Sequence, residues 1–157
     1  MPHLRQFCTF YLENYLFGIS LLEIQEVIQH LDITEVPLAP SVVQGLMNLR
    51  GQIVLAVDLR RQLELPERPA GMQPMNLVVR AGEEPVSLLV DEIADVVEVG
   101  DETFEPVPET LHRRFRSLIL GVHKLDKLLL HVLDPQRVCE IETSTSFLTP
   151  NRLREPG

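Results

Sequence analysis

Short apolar runs closed by turn residues recur along the whole chain. Residues 6–12, 15–20 and 24–28 form one series, and 75–80, 85–90 and 93–98 form another. Residues 52–57, 117–122 and 127–133 complete the set. Each run is rich in Val, Ile, Leu or Phe and too short for a typical helix, so the pattern predicts many short strands. Glu13-Asn14 and Gly82-Glu83 are the predicted hairpin turns of the two series.

The pattern repeats. EIQEVI at 23–28 matches EIADVV at 92–97, an offset of 69. Both follow a strand containing Ser-Leu-Leu, at 20–22 and 87–89. GLMNLRGQIVLAVD at 45–58 matches GVHKLDKLLLHVLD at 121–134, an offset of 76, with Gly first, Leu fifth and Asp last in both. Val36-Pro37 and Val107-Pro108 lie between the matches. Three matches in one order predict two equivalent halves, each of about five strands and roughly 70 residues. Halves that small bury little alone, so they are expected to pack together with a groove between them. Asp58 and Asp134 stand where a carboxylate would cap a short helix, and Pro135 suits the first helical position. Residues 64–74 read as the link between the halves. Residues 142–157 lose the strand pattern.

Composition narrows the function. Apolar residues make up 45% of the chain, enough for a core, and no run approaches a membrane span. A net charge of −9 disfavours nucleic acid and anionic membrane surfaces; Arg113, Arg114 and Arg116 are the local exception, read as a solvated loop or helix end. The expected location is the cytoplasm. Cys8 reads as a core residue and Cys139 as half-buried, with no disulfide framework.

No catalytic, cofactor or metal motif emerges. The histidines at 3, 30, 112, 123 and 131 are scattered and read as surface or turn residues. Asp91, Glu92 and Asp95 form an acidic cluster; a solvated surface is one reading, and an enzyme or ligand carrier built on a small barrel is the other. The repeat keeps Leu49 as Leu125 but replaces Arg50-Gly51 with Asp126-Lys127. A purely structural Arg50 has no reason to be lost from one copy. Gly51 permits a positive φ, which would project Arg50 from a turn, there either to clamp a carboxylate with two hydrogen bonds or to remain a surface arginine.

The segment VQGLMNLRGQIVLAVDLR at 43–60 resembles the hallmark of the CheW family of chemotaxis coupling proteins. Residues 10–19, Ile24–Ile28, Val36–Pro40, Leu89–Asp91 and Phe104–Pro108 are similar to further family segments in the same order, over about residues 6–141. The resemblance implies an all-β fold with short helices: two packed SH3-like five-stranded barrels in a single domain, 1–141. Their expected bounds are about 14–70 and 71–141, with strand 6–12 a candidate for exchange.

The resemblance also implies a non-catalytic adaptor between the cytoplasmic tip of transmembrane chemoreceptors and a CheA-type histidine kinase, located at membrane arrays through those partners, with no cofactor. The partner-binding residues implied are Glu26, Val27, Val43, Gly45, Asn48, Leu49, Arg50 and Gly51. Val27, Val43 and Leu49 would line the groove, and Arg50 and Glu26 would form a partly exposed ion pair that sets specificity. Two departures stand out: Leu55 occupies a usual proline position, and residues 142–157 have no family counterpart.

Overall fold

The computed structural model describes residues 4–80 and 82–141, so the expectation for the 142–157 tail lies outside the described residues. Among the described residues, eleven strands and three short helices follow one another. The first half contains β1 (Leu4–Leu12), β2 (Tyr15–Ser20), β3 (Ile24–Ile28), β4 (Val43–Leu49), β5 (Gln52–Asp58) and α1 (Leu59–Gln62). The second contains β6 (Met75–Arg80), β7 (Pro85–Val90), β8 (Glu92–Gly100), β9 (Phe104–Glu105), α2 (Arg113–Ser117), β10 (Ile119–Lys124), β11 (Leu129–Leu133) and α3 (Pro135–Cys139).

The strands form two sheets, ordered β3-β6-β7-β5-β4 and β8-β1-β2-β11-β10-β9. The fold is all-β with short helices. The two expected SH3-like units are present as a five-stranded and a six-stranded sheet, neither closed into a barrel. The chain passes between them through its leading hairpins. β1–β2 joins the sheet of the second half, and β6–β7 joins the sheet of the first. Both strands of each hairpin cross over, not the leading strand 6–12 alone. The tight Glu13-Asn14 turn keeps β2 beside β1, and β2 then pairs in parallel with β11, Leu16 opposite Leu130. The other half repeats this parallel joint, with Leu55 of β5 opposite Val86 of β7.

The repeat extends to irregularities. The β4–β5 ladder slips between Val43 and Gly45, and the β10–β11 ladder slips between Ile119 and Gly121, 76 residues on. Ile24 faces Val79 beside a bulge in β3, and Ile93 faces Phe10 beside one in β8. These pairings correct one detail of the sequence repeat. Ser20-Leu21-Leu22 ends β2 and enters a 3₁₀ turn, whereas Ser87-Leu88-Leu89 lies inside β7. The structural equivalent of Ser20 is Leu89, so that tripeptide match is out of register.

β4 was not among the strands expected from the apolar pattern. Gly45 and Asn48 interrupt its alternation, yet Val43, Gly45, Met47 and Leu49 all face inward. The two aspartates do cap: Asp58 Oδ1 accepts from Arg60 N–H at 3.1 Å, and Asp134 Oδ1 from Gln136 N–H at 3.0 Å, with Pro135 opening α3. His123 and His131, expected at the surface, are buried on strands. His131 Nδ1–H donates to Leu16 O at 2.9 Å across the parallel joint, and burial pushes both imidazoles below the ordinary range. Burial likewise pushes the Cys139 thiol up to about 12, with Asp134 adding to the effect.

One core joins the sheets. Phe10, Phe17 and Ile19 from the six-stranded sheet meet Val57, Leu77 and Leu88 from the five-stranded one, with Leu59, Phe115 and Val138 closing the ends. Gln62 ties the helices across the same seam. Its Nε2–H donates to Val138 O at 2.8 Å, while Arg114 donates to its Oε1 and main-chain O, both at 2.9 Å.

Gly45 holds β4 against the returning chain. Thr34 bridges Leu46 with hydrogen bonds of 2.9 and 2.8 Å, and a Cβ at position 45 would collide with the Thr34 carbonyl. Gly45→Ala should therefore lower stability by about 1–3 kcal/mol, the range for a backbone forced into strain. Urea denaturation reads this directly, and a midpoint equal to that of the unchanged chain would contradict the close approach.

Candidate functional site

β4 and β5 pair down to Leu49 opposite Gln52, which leaves Arg50 and Gly51 as the whole connection. Both have positive φ, 53° and 88°, as a type I′ hairpin turn requires. Glycine adopts this without cost; arginine does not. Asn48 compensates by accepting the Gly51 N–H on its Oδ1 at 2.8 Å. Asn48 and Gly51 thus shape the turn, and Arg50 is the residue it displays.

Arg50 reaches across the sheet. Its Nη1 donates to Glu26 Oε2 at 2.7 Å, and its Nη2 donates to Glu26 Oε1, a two-pronged pairing that fits the planar fork of the guanidinium. The arginine side chain is 70% exposed and the glutamate 21%. Glu26 lies on β3 and Arg50 follows β4, and these strands are the two edges of the five-stranded sheet. The pair therefore clasps the edges of a sheet that must curl to bring them together. The hydrogen bonds from Arg50 hold the Glu26 carboxyl at about 2, against an ordinary 4.5, overcoming the opposing effect of desolvation. The same contacts raise Arg50 further above its ordinary value.

The other expected partner residues divide by the period of the strand. Val27 is 41% exposed and stands beside the clasp. Val43 and Leu49 are 7% and 6% exposed, so they are core residues and do not line an open groove. In β4, odd positions face inward, and both residues share that face with Met47. Gly45 is buried against Thr34. Sequence reasoning missed Ile53, 61% exposed and opposite Asn48. The signal was present: Val54 faces the core, so its neighbour must face out.

The second half has no such clasp. Its connection between β10 and β11 runs over Leu125–Leu128 and closes with a Leu125 N–H to Leu128 O bond of 2.9 Å. Asp126 and Asp95 occupy the positions of Arg50 and Glu26, so two like charges replace the opposite pair.

The acidic cluster comes apart in the structure. Glu92 and Asp95 are exposed, whereas the Asp91 side chain is buried. Arg60 donates to Asp91 from Nε at 3.0 Å and from Nη2, Arg68 donates from Nε at 2.8 Å, and the Glu13 N–H donates at 2.9 Å. Arg68 also bonds Asp58 at 3.2 Å. Burial alone would push Asp91 up, but the bonds from Arg60, Glu13 and Arg68 together leave it below the ordinary range. Asp91 is thus a fixed anion at the crossing between the sheets, with both oxygens occupied. It does not share a site with Glu92 and Asp95.

A family model described as a CheW-like domain matches residues 6–142. The chain belongs to the CheW-like family. It is 27% identical over 133 residues to the chemotaxis protein CheW of Helicobacter pylori, covering 85% of this chain and 80% of that one. It is 28% identical over 130 residues to the CheW of Bacillus subtilis, covering 83% of each. Its fold is similar to the crystal structure of the scaffolding protein TtCheW from Thermoanaerobacter tengcongensis. The TM-score is 0.81 at 23% identity, over 92% of this chain and 97% of that one. No helix among the described residues is long and apolar enough to cross a membrane.

Two outcomes test these readings. The clasp contribution to stability should be complete above pH 4.5 and disappear as pH falls through about 2. Carbon-detected NMR titration of Glu26 should show that midpoint, and Arg50→Ala should return it toward 4.5. Asp91→Ala leaves two guanidinium groups buried without their shared anion. It should cost about 3–5 kcal/mol in denaturant unfolding, while Glu92→Ala and Asp95→Ala stay within about 0.5 kcal/mol.

Proposed function

We propose that this chain is a non-catalytic adaptor that couples transmembrane chemoreceptors to a CheA-type histidine kinase within a chemosensory array. The observation carrying this reading is the Arg50–Glu26 clasp, a charged, preorganised feature on the outside of the sheet, flanked by exposed Val27 and Ile53. A buried ion pair would serve the fold. A displayed one, set on a rigid hairpin beside apolar side chains, suits recognition of another protein, with apolar anchors contributing affinity and the charges fixing orientation. Asp91, paired with Arg60 and Arg68, does not combine with Glu92 and Asp95 into the rival acidic centre, which favours the adaptor reading.

Family membership supports the same role. The relatives are named as chemotaxis proteins, and the structural neighbour as a scaffolding protein. Weak contacts of such an adaptor would gain strength from the high effective concentration within an array. The reading places the chain in the cytoplasm, held at the membrane by its partners.

The test is binding of the full chain to a receptor cytoplasmic tip and to the regulatory domain of a CheA-type kinase, measured separately by calorimetry. Arg50→Glu turns the clasp into like charges and should weaken at least one complex about tenfold or more. Ile53→Asp should act in the same direction. Unchanged affinity for both partners in both variants would remove this surface from the function.

A further inference from the structure

The β10–β11 hairpin of the second half backs a cavity of about 580 Å³ whose walls include Phe7, Phe104, Leu120, Val132 and Leu133. His123 belongs to the same wall and is fully buried. Its ring packs against those of Phe7 and Phe104, with centroids 5.6 and 5.1 Å away. Nδ1 meets Thr103 Oγ1 at 2.8 Å, whereas Nε2, turned away from Thr103, has no hydrogen-bond partner. Thr103 stands outside the cavity wall, so the ring presents to the cavity the edge that carries Nε2. Among the described residues it is the one buried side-chain nitrogen or oxygen left unpaired.

The repeat shows that packing does not require this imidazole. Met47 faces Val54 in the β4–β5 ladder, and His123 faces Leu130 in the β10–β11 ladder, 76 residues on. Met47 is just as buried and brings no group that must be hydrogen-bonded. Likewise Ile28 faces Asn76, and Val97 faces Phe7, at the offset of 69. Asn76 is buried too, but Ser87 Oγ donates to its Oδ1 at 3.0 Å. One half thus holds a methionine and a paired amide where the other holds an unpaired imidazole nitrogen and an aromatic wall.

We propose that this cavity binds a small neutral molecule with an apolar body and one hydroxyl group, the hydroxyl bonding to His123 Nε2. The volume lies within the roughly 300–1,000 Å³ of ordinary small-molecule sites, and the wall has their make-up, mostly apolar with a single polar group inside. The demand for a hydroxyl follows from Thr103. Its one proton can go to Gly100 O, 3.1 Å away, or to His123 Nδ1. In the first case Nδ1–H donates to Thr103 and Nε2 is a bare acceptor; in the second, Nε2–H is a bare donor. A hydroxyl answers both cases, since it donates and accepts.

Water is a poor substitute for that hydroxyl. A buried water is held by about three hydrogen bonds, and the Phe7, Phe104 and Leu120 side chains around the imidazole offer none. Neutrality follows from the charges at hand. Exposed Arg5 is already paired with Asp101 at 2.9 Å, and Glu23 adds a second carboxylate to the wall, so an anion is opposed. A cation taken into the apolar interior would meet an imidazole that burial keeps uncharged. The site uses neither residue of the Arg50–Glu26 clasp and stands independently of the adaptor reading.

The test uses the full chain and two probes of one shape, 4-ethylphenol and ethylbenzene. An apolar hole alone prefers the hydrocarbon, which has no hydroxyl to strip of water; a waiting imidazole reverses that order. In hydrogen–nitrogen correlation spectra, 4-ethylphenol should move the amides of Phe7, Leu120 and His123 saturably, with affinity about tenfold above that of ethylbenzene. The Nε2 signal of His123 should move with the phenol and stay still with the hydrocarbon. His123→Met, the residue of the first half, should remove the preference between the probes. Equal affinities, no saturable change at these amides, or an Nε2 signal indifferent to the phenol would each overturn the proposal. The Nε2 signal needs no variant, so it decides the matter even if His123→Met fails to fold. Loss of phenol binding as protein concentration rises would assign the cavity to a second copy and overturn the proposal too.

Discussion

The exchange of hairpins between the sheets is the constraint on which the rest depends. Each half contributes its first two strands to the sheet of the other, and the parallel joints β2·β11 and β5·β7 seal the exchange. Parallel pairing demands a long crossover, and here residues 21–128 separate β2 from β11 and residues 59–84 separate β5 from β7. The core that results is continuous: Phe10 and Phe17 pack with Leu77 and Leu88, although the chain between them visits both sheets. A half folded on its own would lack the strands that bury its own apolar face.

That constraint determines where charge is tolerated. At the crossing from β7 to β8 the chain turns through buried space, and Asp91 is paired there by Arg60 and Arg68. The equivalent crossing, from β2 to β3, carries Leu22 at the position of Asp91, and Leu22 is exposed. The Arg50–Glu26 clasp lies at the opposite extreme. It joins sheet edges in the open, where water weakens its energetic worth and leaves its geometry available to a partner.

Much of the fold was legible because local chemistry and the global pattern agreed. The short apolar runs at 15–20, 24–28, 75–80 and 85–90 became strands with those bounds. Asp58 and Asp134 announced their helices through capping alone. The ion pair was legible only through the family resemblance, because Glu26 and Arg50 lie at opposite edges of the sheet and nothing local in the sequence joins them. β4 was obscured by Gly45 and Asn48, residues that signal turns but serve a close backbone approach and the adjacent hairpin. Val43 and Leu49 were misplaced for the same reason, because the direction of a side chain in a strand is unknown until the strand is recognised. The burial of His123 and His131 was invisible in the sequence; only the packing of β10 and β11 at the seam determines it.

Reciprocal hairpins also bear on origin. A polypeptide carrying only one of these repeats would expose the ladder that the missing hairpin now satisfies, and a second identical molecule could satisfy it by returning the favour. The ancestral form would then be a symmetric homodimer interlocked by trading hairpins. Joining such twins in one polypeptide would remove the demand that both be alike. One copy here carries an arginine and a glutamate where the other carries two aspartates, so the molecule has a front and a back.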